Sequence, residues 1–268
     1  MKSKKIKLKN CLINTYHGGK GKPLFLIPGW PFSGRIYFPL IKYLADDYQV
    51  TTLDLPGWAG NSKLKADFDF QINSYVELIL VTLKKIYSDE VKISLGGVSI
   101  GGTLALLAAY HQPELAKNLV IHSSPWNGID FKKKHKIQSQ LISKFKNKSS
   151  IDPLLKRVYK GLCLISHRKR SNKKLRHLLL KDYKNLNPYA VMTFADNFFN
   201  SDFKNQLKQI KIPVLAVGST KDQYISCHQV KHLSQNILPQ SKYFRVPYSH
   251  YFVIENPKML ADIIKNNL

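Results

Sequence analysis

Cysteine is scarce in this 268-residue chain. There are three, Cys11, Cys163 and Cys227, an odd number with no metal-like spacing. That argues against a disulfide framework and fits a reducing compartment, so a cytoplasmic protein is expected. Acidic residues are also few, 17 Asp and Glu against 42 Lys and Arg, for a net charge of +25. Long hydrophobic runs are missing. The longest apolar-looking stretch, Ile93 to Ala109, is broken by Ser94, four glycines, Ser99 and Thr103. It reads as a buried strand, a turn and a buried helix rather than a membrane span. Met1 to Lys9 has the charge of a signal peptide but no apolar stretch behind it, so no secretion signal is expected. The chain has no internal repeat.

What is present is a core-forming apolar content of 44 % and a clear alternation of element types. Leu24–Ile27, Val50–Leu53, Lys92–Leu95 and Leu119–His122 read as short strands. Helical stretches lie between them near Phe38–Ala45 and Ile72–Tyr87. Strand, helix, strand at this spacing predicts parallel βαβ units with helices on both faces of the sheet. From about Trp126 to Asn200 the sequence turns helical, polar and basic. Strand chemistry resumes at Pro213–Val217 and Lys242–Val246, and Pro257–Asn266 reads as a closing amphipathic helix. The expected organisation is an α/β core, residues 1–125 and 201–268, interrupted by a helical insertion over 126–200.

Gly97-Val98-Ser99-Ile100-Gly101 follows one predicted strand and opens one predicted helix. A G-x-S-x-G turn in that setting is a nucleophile elbow. The turn is too tight for side chains two residues either side of the serine. It pushes the Ser99 hydroxyl out of the sheet, beside free N–H groups of the helix start. Serine needs an adjacent base oriented by a third group. In a sheet of this kind the chain order is serine, acid, histidine. Asp222 follows the strand at 213–217 and His250 follows the strand at 242–246, so both fall on loops at carboxyl ends of strands. Asp196, in the insertion or at its edge, is the rival acid. His228 and His232 are four apart on a predicted helix, but no third metal ligand is evident and surface histidines are the reading. The oxyanion donors expected are the N–H groups of Ile100 and of Trp30, in the loop Pro28-Gly29-Trp30-Pro31. This chemistry needs no metal and no organic cofactor.

With these pieces in place the chain resembles the α/β-hydrolase superfamily over nearly its whole length. The matching segments are Pro28-Gly29-Trp30, Asp54 to Ser62, the elbow at 97–101, Asp222 and His250. Within the superfamily it is similar to the pimeloyl-acyl-carrier-protein methyl ester esterases of biotin synthesis, through Gly29-Trp30, Ser123-Ser124-Pro125 and the stretch Phe203 to Pro213. It departs from them at Pro28, where a histidine is common, and at Val98, where that group usually has a tryptophan. The resemblance implies an α/β-hydrolase fold with a mostly parallel sheet and an inserted helical cap. It also implies an esterase working through an acyl-enzyme. A broad carboxylesterase or lipase, a carbon–carbon or lactone hydrolase, and a catalytically silent basic binding module are the alternatives.

Residues 131–185 carry 18 Lys and Arg against Asp152 and Asp182, a net +16 concentrated in the insertion. A lysine-rich lid is the plain reading, with Leu154-Leu155, Leu162, Leu164-Ile165 and Leu178-Leu179-Leu180 facing inward. Lys132-Lys133-Lys134 and Arg168-Lys169-Arg170 would then face solvent. The sharper reading is a docking face for an acidic acyl carrier protein presenting a carrier-bound ester. Anionic membrane is a further option. Nucleic acid is disfavoured, because the aromatics are not interleaved with the charges.

Overall fold

The computed structural model describes residues 1–9, 11–64, 68–88, 90–134 and 173–268, with residues 136, 140 and 157 singly between them. The chain opens with β1 (Lys2–Lys7), β2 (Cys11–Gly18) and β3 (Lys22–Ile27). It continues through α1 (Phe38–Leu44), β4 (Tyr48–Leu53), β5 (Lys63–Leu64), α2 (Ile72–Ile86), β6 (Ile93–Val98), α3 (Ile100–His111) and β7 (Ala116–His122). Helices α4 (Gly128–Lys134), α5 (Lys173–Asp182), α6 (Pro188–Phe199) and α7 (Lys204–Leu207) follow. The chain closes with β8 (Val214–Ser219), α8 (Cys227–Asn236), β9 (Ser241–Val246), α9 (Phe252–Glu255) and α10 (Pro257–Lys265).

The strands form one sheet in the order β1-β2-β4-β3-β6-β7-β8-β9, with β5 added to β2. Every pairing from β4 to β9 is parallel. β1 pairs with β2, and β2 with β4 and β5, antiparallel. The central strands are apolar on both faces because helices cover both. All six residues of β6 are buried, and so is nearly all of α3, which lies between the sheet and α2. α2 buries Ile72, Val76, Ile79, Leu80 and Leu83, one stripe at the helical period. α10 starts at Pro257 with the Asn256 side chain accepting from the Met259 N–H. It turns Leu260, Ala261 and Ile264 inward, packing against α1.

The sequence reading misses β1 and β2. In β1 only Ile6 is buried, and the lysines stand in solvent along the outermost strand. Such an edge buries too little to leave an apolar alternation in the sequence, and its charges discourage pairing with another chain. Between β7 and β8 the regular elements among the described residues are helices. The chain leaves the sheet and returns to it at nearly one place. Asn127 bridges Asp202, Gly128 N–H donates to Ser201 O at 2.9 Å, and Phe203 N–H donates to Trp126 O at 3.3 Å.

Candidate active site

Ser99 sits between the last residue of β6 and the first of α3, with φ 55° and ψ −133°. A side chain held there is strained by about 1–3 kcal/mol. The surroundings enforce it. A Cβ at Gly97 would lie 2.3 Å from the Gly101 carbonyl carbon, and one at Gly101 would lie 2.2 Å from Ile27 O. The Ser99 N–H continues the ladder by donating to His122 O at 2.8 Å. The buried Tyr37 hydroxyl accepts from Val98 N–H at 2.9 Å and donates to Ile27 O at 2.7 Å, stitching the elbow to β3. Burial pushes the Tyr37 phenol far up, so it remains a neutral donor.

His250 and Asp222 come together from the loops after β9 and β8. His250 Nδ1 lies 2.7 Å from Asp222 Oδ2, and the aspartate side chain has no exposure. Asp222 Oδ1 accepts from the N–H groups of Tyr224 at 2.8 Å and Ile225 at 2.9 Å. Burial alone would raise the Asp222 pKa. The hydrogen bond and charge of His250, with help from the Ser123 hydroxyl and the Ile225 N–H, win and hold it below the ordinary carboxylate value. The two loops are tied to each other, Thr220 N–H donating to Val246 O at 2.9 Å and Lys221 N–H to Tyr248 O at 3.0 Å. The histidine loop is tied again by Glu255, whose carboxylate accepts from the Ser249 N–H and hydroxyl, each at 2.9 Å. Asp196 lies on α6 and is not the partner of His250 Nδ1.

Ser99 and His250 line one cleft with Gly29, Trp30, Phe32, Ile36, Val98, Ile100, Pro125, Phe131, Ala195, Phe198, Phe199, Tyr224, Ile225 and Tyr251. Its volume is about 830 Å³ including space open to solvent. Among the described residues His250 is the one ionisable side chain in that wall besides the two tyrosine phenols. Phe131 of α4 stacks on Phe199 of α6 with ring centres 5.4 Å apart. Trp30 and Ile100 both face the cleft, and neither backbone N–H has a protein partner among the described residues. The Trp30 indole N–H donates to Val191 O at 3.2 Å, which ties the loop after β3 to α6.

His228 and His232 are exposed, and the His232 ring stacks on Trp126 at 5.8 Å. Among the described residues no group of three or more His, Cys, Asp or Glu side chains could hold a metal ion. Of the inward leucines expected in the insertion, Leu179 is buried and Leu180 half-buried. Lys132 and Lys133 are exposed. Leu154-Leu155, Leu162, Leu164-Ile165 and Arg168-Lys169-Arg170 lie outside the described residues. Sequence reasoning missed His122, Ser123, Tyr224 and Glu255 around the Asp222–His250 pair. The Ser123-Ser124-Pro125 that follows β7 is the one visible signal in sequence for Ser123.

The family model described as alpha/beta hydrolase fold matches residues 22–257. A pimeloyl-[acyl-carrier protein] methyl ester esterase of Aeromonas salmonicida (strain A449) is 25 % identical over 256 residues, covering 92 % of this chain and 95 % of that protein. One of Legionella pneumophila (strain Corby) is 27 % identical over 238 residues, covering 84 % and 85 %. Among solved structures, a bromoperoxidase from Bacillus anthracis superposes with a TM-score of 0.83 at 18 % identity over 99 % of both chains, a likeness of fold.

Proposed function

The chain belongs to the α/β-hydrolase fold family and is a carboxylic ester hydrolase, and on that premise we propose that it works through a covalent acyl-enzyme on Ser99. The observation that carries this reading is the 2.7 Å contact of His250 Nδ1 with an ionised, unexposed Asp222, on the same cleft as the strained Ser99.

In this reading Ser99 Oγ attacks the ester carbonyl carbon while its proton passes to His250 Nε2. The carbonyl oxygen becomes an oxyanion beside the Ile100 and Trp30 N–H groups, each such donor contributing about 3 kcal/mol to the barrier. The carbon–oxygen bond to the alcohol then breaks, and the alkoxide leaves with the proton from His250. Water attacks the acyl-enzyme with His250 again as base. The acid departs and Ser99 regains its proton. Asp222 stays ionised throughout and stabilises the imidazolium form of His250.

For the substrate we propose a carrier-bound methyl ester, the class named for the relatives at 25–27 % identity. The apolar wall suits an uncharged acyl chain. Residues 126–200 would form a cap whose root is the pinch at Asn127 and Asp202, and its basic surface would face the acidic carrier. A general carboxylesterase acting on small apolar esters is the second reading, favoured by the aromatic end of the cleft at Phe131, Phe198 and Phe199.

Treatment with a fluorophosphonate probe should label wild type at Ser99 and stop hydrolysis of p-nitrophenyl esters. Ser99→Ala should take no label and retain its fold by circular dichroism. Labelling of the alanine variant at the wild-type level would overturn the assignment.

A further inference from the structure

Ser123, the first residue after β7, is one of three non-glycine residues with positive φ, at 48°, among the described residues. Its side chain does not line the cleft, so the strain serves nothing that touches substrate. What the conformation does is turn the chain beneath Asp222. The Ser123 N–H donates to Val217 O at 2.9 Å, which continues the β7–β8 ladder. Its hydroxyl oxygen lies 3.1 Å from His122 Nε2, and the same nitrogen lies 2.9 Å from Ser219 Oγ. The Ser219 backbone carbonyl in turn accepts the Asp222 N–H at 3.4 Å. All three side chains are buried. They form a polar nest at the carboxyl ends of β7 and β8, directly behind the acid.

We propose that Ser123 is a positioning residue, its hydroxyl held by His122 and donated to Asp222, so that the carboxylate keeps its orientation toward His250. Both neutral tautomers of His122 meet these contacts, and the arrangement that leaves the Ser123 proton free is the proposed one. His122 carries its proton on Nε2 and donates to the Ser123 and Ser219 oxygens, which frees the Ser123 proton for the carboxylate. His122 Nδ1 is then an acceptor with no partner among the described residues. Burial first, then the charge of His250, push the His122 pKa down to about 3, so the ring stays neutral and does not compete with His250 for the catalytic proton. The Ser123 hydroxyl favours the charged form of Asp222. Asp222 has the Tyr224 and Ile225 N–H groups on one oxygen and His250 on the other, and in the proposed arrangement the Ser123 hydroxyl is its further donor. The titratable groups facing it are His250 and His122.

The inference rests on the Ser99 reading, and the test separates the two. Ser123→Ala removes the hydroxyl. Ser123→Gly removes it while suiting the positive φ, so its folding is secure. Both should lower kcat roughly 10- to 100-fold, the effect of losing one hydrogen bond to a charged group, with KM unchanged within about twofold. Fluorophosphonate labelling should slow in proportion. The low-field proton resonance of His250 Nδ1 should move in both variants, and Ser123→Cys, a weak donor, should recover part of kcat. Wild-type kcat in the alanine and glycine variants would overturn the proposal, as would a kcat loss with the His250 resonance unmoved. If wild type itself takes no label, the Ser99 reading falls and the positioning role with it. If wild type labels and the Ser123 variants behave like it, the positioning role alone falls.

Discussion

At the residue scale, the proposed nucleophile, base and acid share a property that makes them readable: each is announced by its neighbours in sequence. The Gly97 and Gly101 backbones touch other backbone, so no side chain fits there, and that demand leaves a five-residue signature around Ser99. Asp222 and His250 are fixed by following strands in a parallel sheet. They should act as one unit. Asp222→Asn and His250→Ala should each lower kcat by about 10³–10⁴-fold, and the double variant should be little slower than His250→Ala alone. Steady-state kinetics on a p-nitrophenyl ester decide it, and losses that add would remove Asp222 from the role of orienting acid. The supporting residues were not readable, because their partners are remote. His122 meets Ser219 across 97 positions, and neither residue type predicts the other. Glu255 steadies Ser249 from a short helix that has no periodicity to betray it.

The elements between β7 and β8 are held to the core by buried polar contacts rather than by an apolar stripe alone. Asp182, at the end of α5, pairs with Arg35 and accepts from the Ser33 hydroxyl at 2.6 Å, just past the loop that carries Trp30. Asn185 Nδ2 donates to Gly60 O at 2.6 Å, and Asn187 N–H donates to Gly57 O at 2.9 Å. Burial outweighs both Ser33 and Arg35 at Asp182 and raises its pKa from 3.8 to about 6. Its raised folded value means the folded chain keeps a proton that the unfolded chain has lost. The associated stability is therefore present below about pH 4 and is lost as pH rises through about 6. The full swing is on the order of 3 kcal/mol. Asp182→Asn cannot ionise, so its stability relative to wild type should improve by up to that amount between pH 4 and pH 7, measured by urea denaturation at each pH. A difference between the two proteins that does not change with pH would mean that Asp182 stays charged throughout. This anchoring was invisible in the sequence. Ser33 and Asp182 lie 149 positions apart, and in sequence Asp182 is simply one of two acids in the basic segment 131–185.

The charge of the whole molecule is the feature that sequence reports best and fold explains least. It is +25 overall, with Lys132 and Lys133 exposed on α4 beside the cleft wall at Phe131. Exposed charges are screened over roughly 8–10 Å at physiological ionic strength. If the basic segment steers an acidic carrier, kcat/KM on the carrier-bound ester should fall steeply between low and high salt, while hydrolysis of a small neutral ester barely changes. Replacing Lys132-Lys133-Lys134 with glutamate should raise KM for the carrier substrate alone. Equal salt sensitivity for the two substrates would favour the general carboxylesterase. The parallel order of the sheet was legible because its strands alternate with helices. Strand β1 was not, since an edge strand of lysines carries no core-facing pattern, nor was β2, whose buried run is interrupted by the polar Asn14 and Thr15. The pinch at Asn127 and Asp202 has a consequence for how such a chain changes over time. The loop it closes joins two neighbouring strands, and the entropy of closing a loop rises only with the logarithm of its length, about 0.6 kcal/mol per doubling. Apart from the stretch anchored by Asp182, Asn185, Asn187 and the buried face of α6, a change in the length of the segment adds little closure cost to the sheet, so the catalytic frame and the substrate range of this protein are free to evolve at different rates.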